Sequence, residues 1–174
     1  GGRGGGGGGE EESIAVLLDS QQDIRRIPFP LLHKFTLSSL VRLLVDQGDY
    51  LTCVHILEPH ARAGDKQMLW SLVRVHISFG NLQAAEKLLS EISEEEVSRS
   101  KLLLHRALLA LAKNSPSSAC ELLEKAREQE PDNLMLANNL AVAHLYNKQV
   151  AKATSLLEDV IRQDPVRSLS YFSV

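Results

Sequence analysis

The sequence contains little cysteine, few aromatic residues and no long apolar run. Only two of its 174 residues are cysteine, Cys53 and Cys120, and 5% are aromatic. Two cysteines cannot build a disulfide framework, so we expect both to be small packing residues rather than redox or metal-binding groups. No stretch approaches ~18 uninterrupted apolar residues and no basic-then-apolar leader opens the chain, which predicts neither a spanning helix nor a secretory signal. A cytoplasmic location is therefore expected.

An excess of one charge is missing as well. The 19 basic and 22 acidic residues are interspersed and give a formal charge of -3, which offers neither the basic footprint of a nucleic-acid-binding protein nor a polybasic membrane-surface run. No Gly-rich phosphate loop, H-E-x-x-H motif or paired C-x-x-C occurs, so nucleotide and zinc sites lack their minimum parts. We predict no cofactor, no metal, no small-molecule substrate and no enzymatic activity.

What the sequence does contain is a repeat. A small residue followed by a leucine pair recurs at one fixed interval along the chain. The three sets are Ala85, Leu88 and Leu89, then Ala119, Leu122 and Leu123, then Ala153, Leu156 and Leu157. A period of about 34 residues is typical of stacked helical hairpins, which favours a partner-holding role over catalysis.

A second apolar pattern precedes each of these three sets and also precedes an earlier trailing set, Cys53, Ile56, Leu57, His60 and Ala61; its spacing is the i, i+3, i+4, i+7, i+8 of one face of an α-helix. It comprises Leu37, Leu40, Val41, Leu44, Val45; Leu69, Leu72, Val73, His76, Ile77; Leu103, Arg106, Ala107, Ala110, Leu111; and Ala137, Leu140, Ala141, His144, Leu145. The two histidines in these stripes, His76 and His144, are expected to pack in the interior. Each repeat is thus predicted to be a leading helix followed by a trailing helix.

Turn residues lie between the two patterns. Gly48, Gly80 and Asn114 are placed to end three leading helices in the left-handed conformation. Pro131 is expected to close the third trailing helix, and Pro59 to close the first one early. The first repeat is therefore predicted to be the least regular.

These residues resemble the tetratricopeptide repeat, whose consensus has small, small, large, small and proline positions in this order. The matching runs are Ala107, Ala119, Leu123, Ala126 and Pro131, then Leu140, Ala141, Ala153, Leu157 and Pro165. The resemblance implies an all-α fold, an α-solenoid of about four hairpins wound into a right-handed superhelix.

The repeats are expected to divide the chain as follows. Residues 1–12 form a disordered Gly-rich and acidic leader, and residues 13–30 form a capping segment. The repeats fill 31–165, as 31–65, 66–99, 100–133 and 134–165. Residues 166–174 start a further helix that is cut short.

A narrower resemblance is to the carboxyl-terminal repeats of the subunit-twelve family of the trafficking protein particle (TRAPP) complex. It rests on the order and spacing of six strings: Ile27 to His33, Arg74 to Asn81, Ala84 to Lys87, Ala137 to Val142, Leu145-Tyr146 and Gln163 to Pro165. It implies a non-catalytic subunit of a vesicle-tethering complex, with other protein subunits as partners and a peripheral location at Golgi or early secretory membranes.

The candidate binding site follows from the tetratricopeptide resemblance, which implies that leading helices line a concave face. The residues projecting between the apolar stripes on that face are Gln67, Trp70, Arg74, Lys101, Leu104, Leu108, Asn138, Val142 and Tyr146. Trp70 and Arg74 are the types enriched at interface hot spots. The alternative for Trp70 is that it fills the seam between hairpins.

A second function is a free-standing peptide-binding adaptor of the co-chaperone class. Such adaptors hold a peptide carboxylate in a clamp of lysines, asparagines and an arginine on the leading helices. The corresponding places here include Trp70, Arg74, His105, Met135 and Asn139, which lack the expected density of positive charge. A groove for an apolar or amphipathic segment is favoured instead.

Overall fold

A computed structural model describes residues 28–93 and 97–163, and every regular element in these two ranges is an α-helix, as predicted. The helices are α1 (Phe29–Asp46), α2 (Tyr50–Arg62), α3 (Lys66–Ser78), α4 (Leu82–Glu91), α5 (Arg99–Ala112), α6 (Pro116–Gln129), α7 (Leu134–Tyr146) and α8 (Val150–Gln163). They form four consecutive pairs of a leading and a trailing helix, each pair joined by a three-residue turn.

The four turns have the same construction. The middle residue of each is left-handed, with φ of 76° at Gly48 and Gly80, 58° at Asn114 and 61° at Lys148. Its N–H bonds to the carbonyl three residues earlier, and the following N–H bonds to the carbonyl five residues earlier, as in Gly48 to Val45 and Asp49 to Leu44. This arrangement satisfies carbonyls that the end of a helix would leave unpaired. These middle residues, here termed the turn residues, give a common register for the four leading helices.

Three of the turn residues were predicted from the sequence, and Lys148 was not. Lysine carries a Cβ that disfavours the left-handed region, so the residue type does not indicate a turn. The position of Lys148 does indicate a turn, because Lys148 follows Asn114 by one repeat period. In this turn the side chain of Gln149 also bonds to His144, with 2.8 Å between Oε1 and Nδ1.

The chain divides into two compact units, one ending at Val75 and the other beginning at His76. In the first unit α1 packs against α2, and Cys53 and Leu57 of α2 are fully buried. The thiol of Cys53 lies 3.8 Å from the carbonyl oxygen of Val41 on α1. An ion pair between Lys34 and Asp65, at 3.0 Å, ties α1 to the start of α3.

Pro59 does not close the first trailing helix, so that prediction is wrong. Helix α2 continues through Pro59 to Arg62. A proline in the last turn removes a single backbone donor, and the carbonyl of Pro59 still accepts a hydrogen bond from the N–H of Ala63 at 3.0 Å. The chain leaves the helix through Gly64, which is left-handed with φ of 90°.

The second unit has a continuous apolar core, which contains six predicted repeat positions (Leu103, Ala107, Ala119, Leu123, Ala126 and Leu140) and four further residues that the repeat pattern did not predict. Its buried members are Leu103, Leu104, Ala107, Ala119, Cys120, Leu123, Ala126, Leu136, Leu140 and Ala143. The hydroxyl of Ser100 at the start of α5 donates to the carboxylate of Glu130, which also accepts from the side chain of Asn133. Helix α6 packs on both its neighbours, α5 and α7.

Several sequence predictions fall outside the described residues. The leader (1–12), nearly all of the capping segment (13–30) and the truncated helix (166–174) are among them. Helix α1 begins at Phe29, two residues before the expected start of the first repeat. Pro30 lies in its first turn, where a proline costs no helical hydrogen bond.

Candidate functional site

The nine predicted binding residues lie on three leading helices and belong to both units. On α3, Gln67, Trp70 and Arg74 are spaced i, i+3, i+7 and share one face. Arg74 is exposed, and its guanidinium donates to the hydroxyl of Ser71 at 3.1 Å. Gln67 is half-buried. Trp70 is only 6% exposed, so its ring acts mainly in packing within this chain.

The second row, on α5, consists of Lys101, Leu104 and Leu108. Leu104 is 5% exposed and is a member of the core cluster of the second unit. Lys101 and Leu108 are half-buried, and Leu108 packs against that same cluster. On this row Lys101 and Leu108 are therefore partly accessible, whereas Leu104 lies in the core.

The third row, on α7, is the most open of the three. Asn138, Val142 and Tyr146 are each one turn apart, and Tyr146 is 70% exposed. The amide of Asn138 has no hydrogen-bond partner among the residues that the structure describes. An amide, an aliphatic side chain and a tyrosine in line can hold an extended or helical peptide by both polar and apolar contacts.

A corresponding row on α1 was missed. Counted from the turn residue, Phe35, Ser38 and Arg42 occupy the same places as Gln67, Trp70 and Arg74. Arg42 is exposed, and Phe35 and Ser38 are half-buried. The first repeat is slightly shorter than the later ones, but the turn at Gly48 provides the register from which these positions could have been found.

The places of the carboxylate clamp present few polar groups. His105 is 3% exposed, with its Nδ1 2.7 Å from the carbonyl oxygen of Lys101. Asn139 uses its amide nitrogen to donate to the carbonyl of Met135 at 2.7 Å, on its own helix. Both side chains are therefore engaged within the helices instead of being available to a peptide carboxylate.

The two cysteines are packing residues, as expected. Cys53 and Cys120 are both buried, and burial raises the pKa of each thiol. Nearby carboxylates, Asp49 for Cys53 and Glu124 for Cys120, raise these pKa values further. A raised pKa keeps the thiolate population low, so neither cysteine has the properties of a nucleophile.

The sulfur of Cys120 lies 3.5 Å from Nδ1 of His144, which itself is 5% exposed. His76 is also buried, at the equivalent place two repeats earlier. Both histidines therefore lie in the interior, as the sequence predicted. In the described ranges, no group of three or more histidine, cysteine or acidic side chains is placed to hold a metal ion. No helix described here is long and apolar enough to cross a membrane.

Comparison with known proteins gives one family and two relatives. A model of the tetratricopeptide repeat family matches residues 110–171. The human trafficking protein particle complex subunit 12 is 25% identical over 138 residues, which cover 73% of this chain and 18% of that protein. The mouse protein of the same name is 27% identical over 109 residues, which cover 58% of this chain and 13% of the mouse protein. The chain thus spans less than a fifth of the length of either relative.

Proposed function

We propose that this chain, whose residues 110–171 match the tetratricopeptide repeat family, is a non-catalytic scaffold in a vesicle-tethering complex of the trafficking protein particle kind. The observation that carries the proposal is the similarity to subunit 12, which extends over 138 residues and hence over most of the repeats. The partners are other protein subunits of that complex. The chain is located peripherally, at Golgi or early secretory membranes.

We assign one working surface to each unit. In the second unit it is the row Asn138, Val142 and Tyr146 on α7, and in the first unit it is Arg74 on α3. Tyr146 and Arg74 are exposed and belong to the residue types that dominate binding energy at protein interfaces, whereas Asn138 and Val142 are half-buried neighbours of Tyr146 on the same row. Trp70 supports the surface of the first unit from within, and the half-buried Gln67 lies at its edge. Leu104, Lys101 and Leu108 have the corresponding roles in the second unit.

Quantitative affinity purification from cells tests this proposal. A tagged chain should retain the other subunits of a trafficking protein particle complex in fixed stoichiometry. Tyr146→Ala and Arg74→Ala should each reduce that retention by about tenfold or more, as expected when a hot-spot side chain is removed. Trp70→Ala is a poor test, because truncating a buried ring also costs packing energy.

Leu51→Ala is the matched control. Leu51 is a large apolar residue that is 77% exposed on a trailing helix, outside the proposed surfaces. Retention should be unchanged in this variant, and circular dichroism should show equal helicity in all three. Loss of retention in Leu51→Ala but not in Tyr146→Ala would move the working surface to the trailing helices. Saturable binding of an acidic chaperone-tail peptide, with no complex subunit retained, would favour the co-chaperone adaptor and reject the tethering role.

A further inference from the structure

The turn between α5 and α6 carries a serine that is directly followed by a proline. Ser115 is the cap residue of α6, and Pro116 is the first residue of that helix. Ser115 is the only serine or threonine in the 174-residue sequence that precedes a proline. It lies well inside the described range 97–163, and it is exposed together with the three residues before it. Its hydroxyl has no hydrogen-bond partner among the residues that the structure describes.

The same cap position holds a hydrogen-bond acceptor in the two earlier trailing helices. The carboxylate of Asp49 accepts from the N–H of Thr52 at 3.1 Å, and the side chain of Asn81 accepts from the N–H of Ala84 at 3.3 Å. The backbone of Ser115 is set similarly, with ψ of 65° against 76° and 65° at the other two caps. Its side chain nevertheless makes no capping bond, so the N–H three residues later lacks the acceptor that α2 and α4 have.

Other exposed hydroxyl groups do not combine these features. Thr36 and Thr154 donate to carbonyl oxygens one turn earlier on their own helices, at 2.8 and 3.1 Å, and Ser90 donates to a carbonyl at 2.7 Å. Ser118 is exposed and uncommitted in the first turn of α6, but it does not precede a proline. Ser115 therefore differs from these residues in having both a free hydroxyl and a following proline.

The charges at the start of α6 favour an added anion. Lys113, two residues before the cap, is exposed, and its ammonium lies 2.6 Å from the carboxylate of Glu86. The hydroxyl of Ser117 donates to the side-chain oxygen of Asn147 at 3.1 Å. The next residue, Lys148, is exposed and has no ion-pair partner in the described ranges. The first turn of α6 contains no acidic residue, so two lysines and the positive end of the helix oppose a single carboxylate.

We propose that Ser115 is phosphorylated by a proline-directed protein kinase and that the phosphate then caps α6. Such kinases select a proline directly after the serine, which lacks a backbone N–H and holds the serine in an extended conformation. The Oγ of Ser115 forms a bond to the γ-phosphorus of ATP, and the bond from that phosphorus to the bridging oxygen breaks. ADP leaves with the electron pair, and the hydroxyl proton passes to the catalytic carboxylate of the kinase.

The phosphate supplies what the cap lacks. It adds three acceptor oxygens and about two negative charges at the positive end of a helix. For the serine to enter a kinase, the turn has to open, because the N–H groups of Asn114 and Ser115 bond to carbonyl oxygens at 2.9 and 2.8 Å. Breaking two bonds in a surface turn is a local event that leaves the core packed. This modification goes beyond the scaffold role proposed above and does not depend on it.

Incubation of the full chain with a cyclin-dependent kinase, ATP and Mg²⁺ tests the site, with the product followed by mass spectrometry. The wild-type chain should gain one phosphate, and fragmentation should place it on Ser115. Ser115→Ala should gain none. Pro116→Ala should be modified about tenfold or more slowly, the discrimination that one lost contact in a binding pocket gives. Ser118→Ala is the matched control and should be modified like the wild type.

Thermal unfolding tests the capping role. The midpoint of the phosphorylated chain should exceed that of the unmodified chain by about 2–4 °C, the shift expected when a missing helix cap is supplied. Ser115→Asp should also raise the midpoint, because Asp49 caps α2 in this way. Circular dichroism establishes that each variant is folded. A wild-type chain that takes up no phosphate, or phosphate uptake that persists in Ser115→Ala, would overturn the proposed site. An unchanged or lower midpoint after phosphorylation would overturn the capping role.

Discussion

Helices α1 and α5 have similar sequence patterns and very different environments. Only Val41 is buried among the 18 residues of α1, whereas seven of the 14 residues of α5 are buried. The reason is the number of neighbours, because α5 packs against α4, α6 and α7 while α1 packs mainly against α2. The comparison teaches that an apolar stripe determines which face of a helix can be buried. The number of adjacent helices then determines how much of that face is buried.

The largest test of this comparison replaces one leucine at equivalent places on α6 and α8. Leu123 is fully buried, and Leu157 is half-buried one repeat later. Leu123→Ala should lower the free energy of unfolding by about 2–5 kcal/mol, through lost burial and the cavity that remains. Leu157→Ala should cost clearly less, because water already reaches part of its side chain. Denaturant unfolding followed by circular dichroism measures both, and equal losses would contradict the difference in packing.

Overpacking provides the next largest effect. Ala119 is fully buried in the core of the second unit, where α6 packs between its neighbours. Ala119→Leu should cost about 1–3 kcal/mol, because three extra carbon atoms have no space. Ala112→Leu, at an exposed place near the end of α5, is the control and should change stability by less than about 0.5 kcal/mol. Thermal unfolding compares the two, and an unchanged midpoint in Ala119→Leu would contradict close packing at this place.

The turn residues of the first and fourth helix pairs should respond in opposite directions. A Cβ added at Gly48 would meet no atom within 4 Å, yet φ there is 76°, so Gly48→Ala should cost about 1 kcal/mol through backbone strain alone. Lys148 already bears that strain at φ of 61°. Lys148→Gly should therefore stabilise the chain, by up to about 1 kcal/mol after allowing for the flexibility of glycine in the unfolded state. Thermal midpoints of both variants check the two signs.

The smallest predicted effect concerns two helix caps, the charged Asp65 at the start of α3 and the neutral Asn133 at the start of α7. Asp65 accepts hydrogen bonds from the N–H groups of Gln67 and Met68 at the start of α3. Asn133 accepts from those of Met135 and Leu136 at the start of α7. Burial alone would raise the pKa of Asp65, but the hydrogen bond and charge of Lys34, with the two backbone donors, outweigh it and lower this pKa.

Because the pKa of Asp65 is lowered in the folded state, its contribution is complete above the ordinary aspartate pKa of about 3.9 and is lost as the pH falls further. Asp65→Asn should cost less than about 1 kcal/mol at neutral pH, since the ion pair is partly exposed. The difference from wild type should vanish on acidification. Asn133→Asp in the second unit is the matched variant, and urea unfolding at neutral and acidic pH measures both. A difference that stays constant with pH would show that the carboxylate charge of Asp65 contributes nothing.

The candidate site shows where prediction from the sequence stops. The spacing correctly placed Gln67, Trp70 and Arg74 on one face of α3, because helical periodicity depends only on position along the chain. It could not distinguish the exposed Arg74 from the buried Trp70. Exposure depends on what packs above each side chain, and that requires the neighbouring elements.

The sequence by itself determined the helices, their order in pairs and three of the four turn residues. These features depend on local interactions, namely the apolar period, the capping hydrogen bonds and the freedom of glycine and asparagine to adopt positive φ. Only the tertiary structure decided that Pro59 lies within α2, that Leu104 joins the core, and that Leu157 is half-buried where Leu123 is fully buried. The physical reason is that a side chain is buried only when another element packs against it. Equivalent repeat positions therefore differ in exposure wherever the adjacent helices differ.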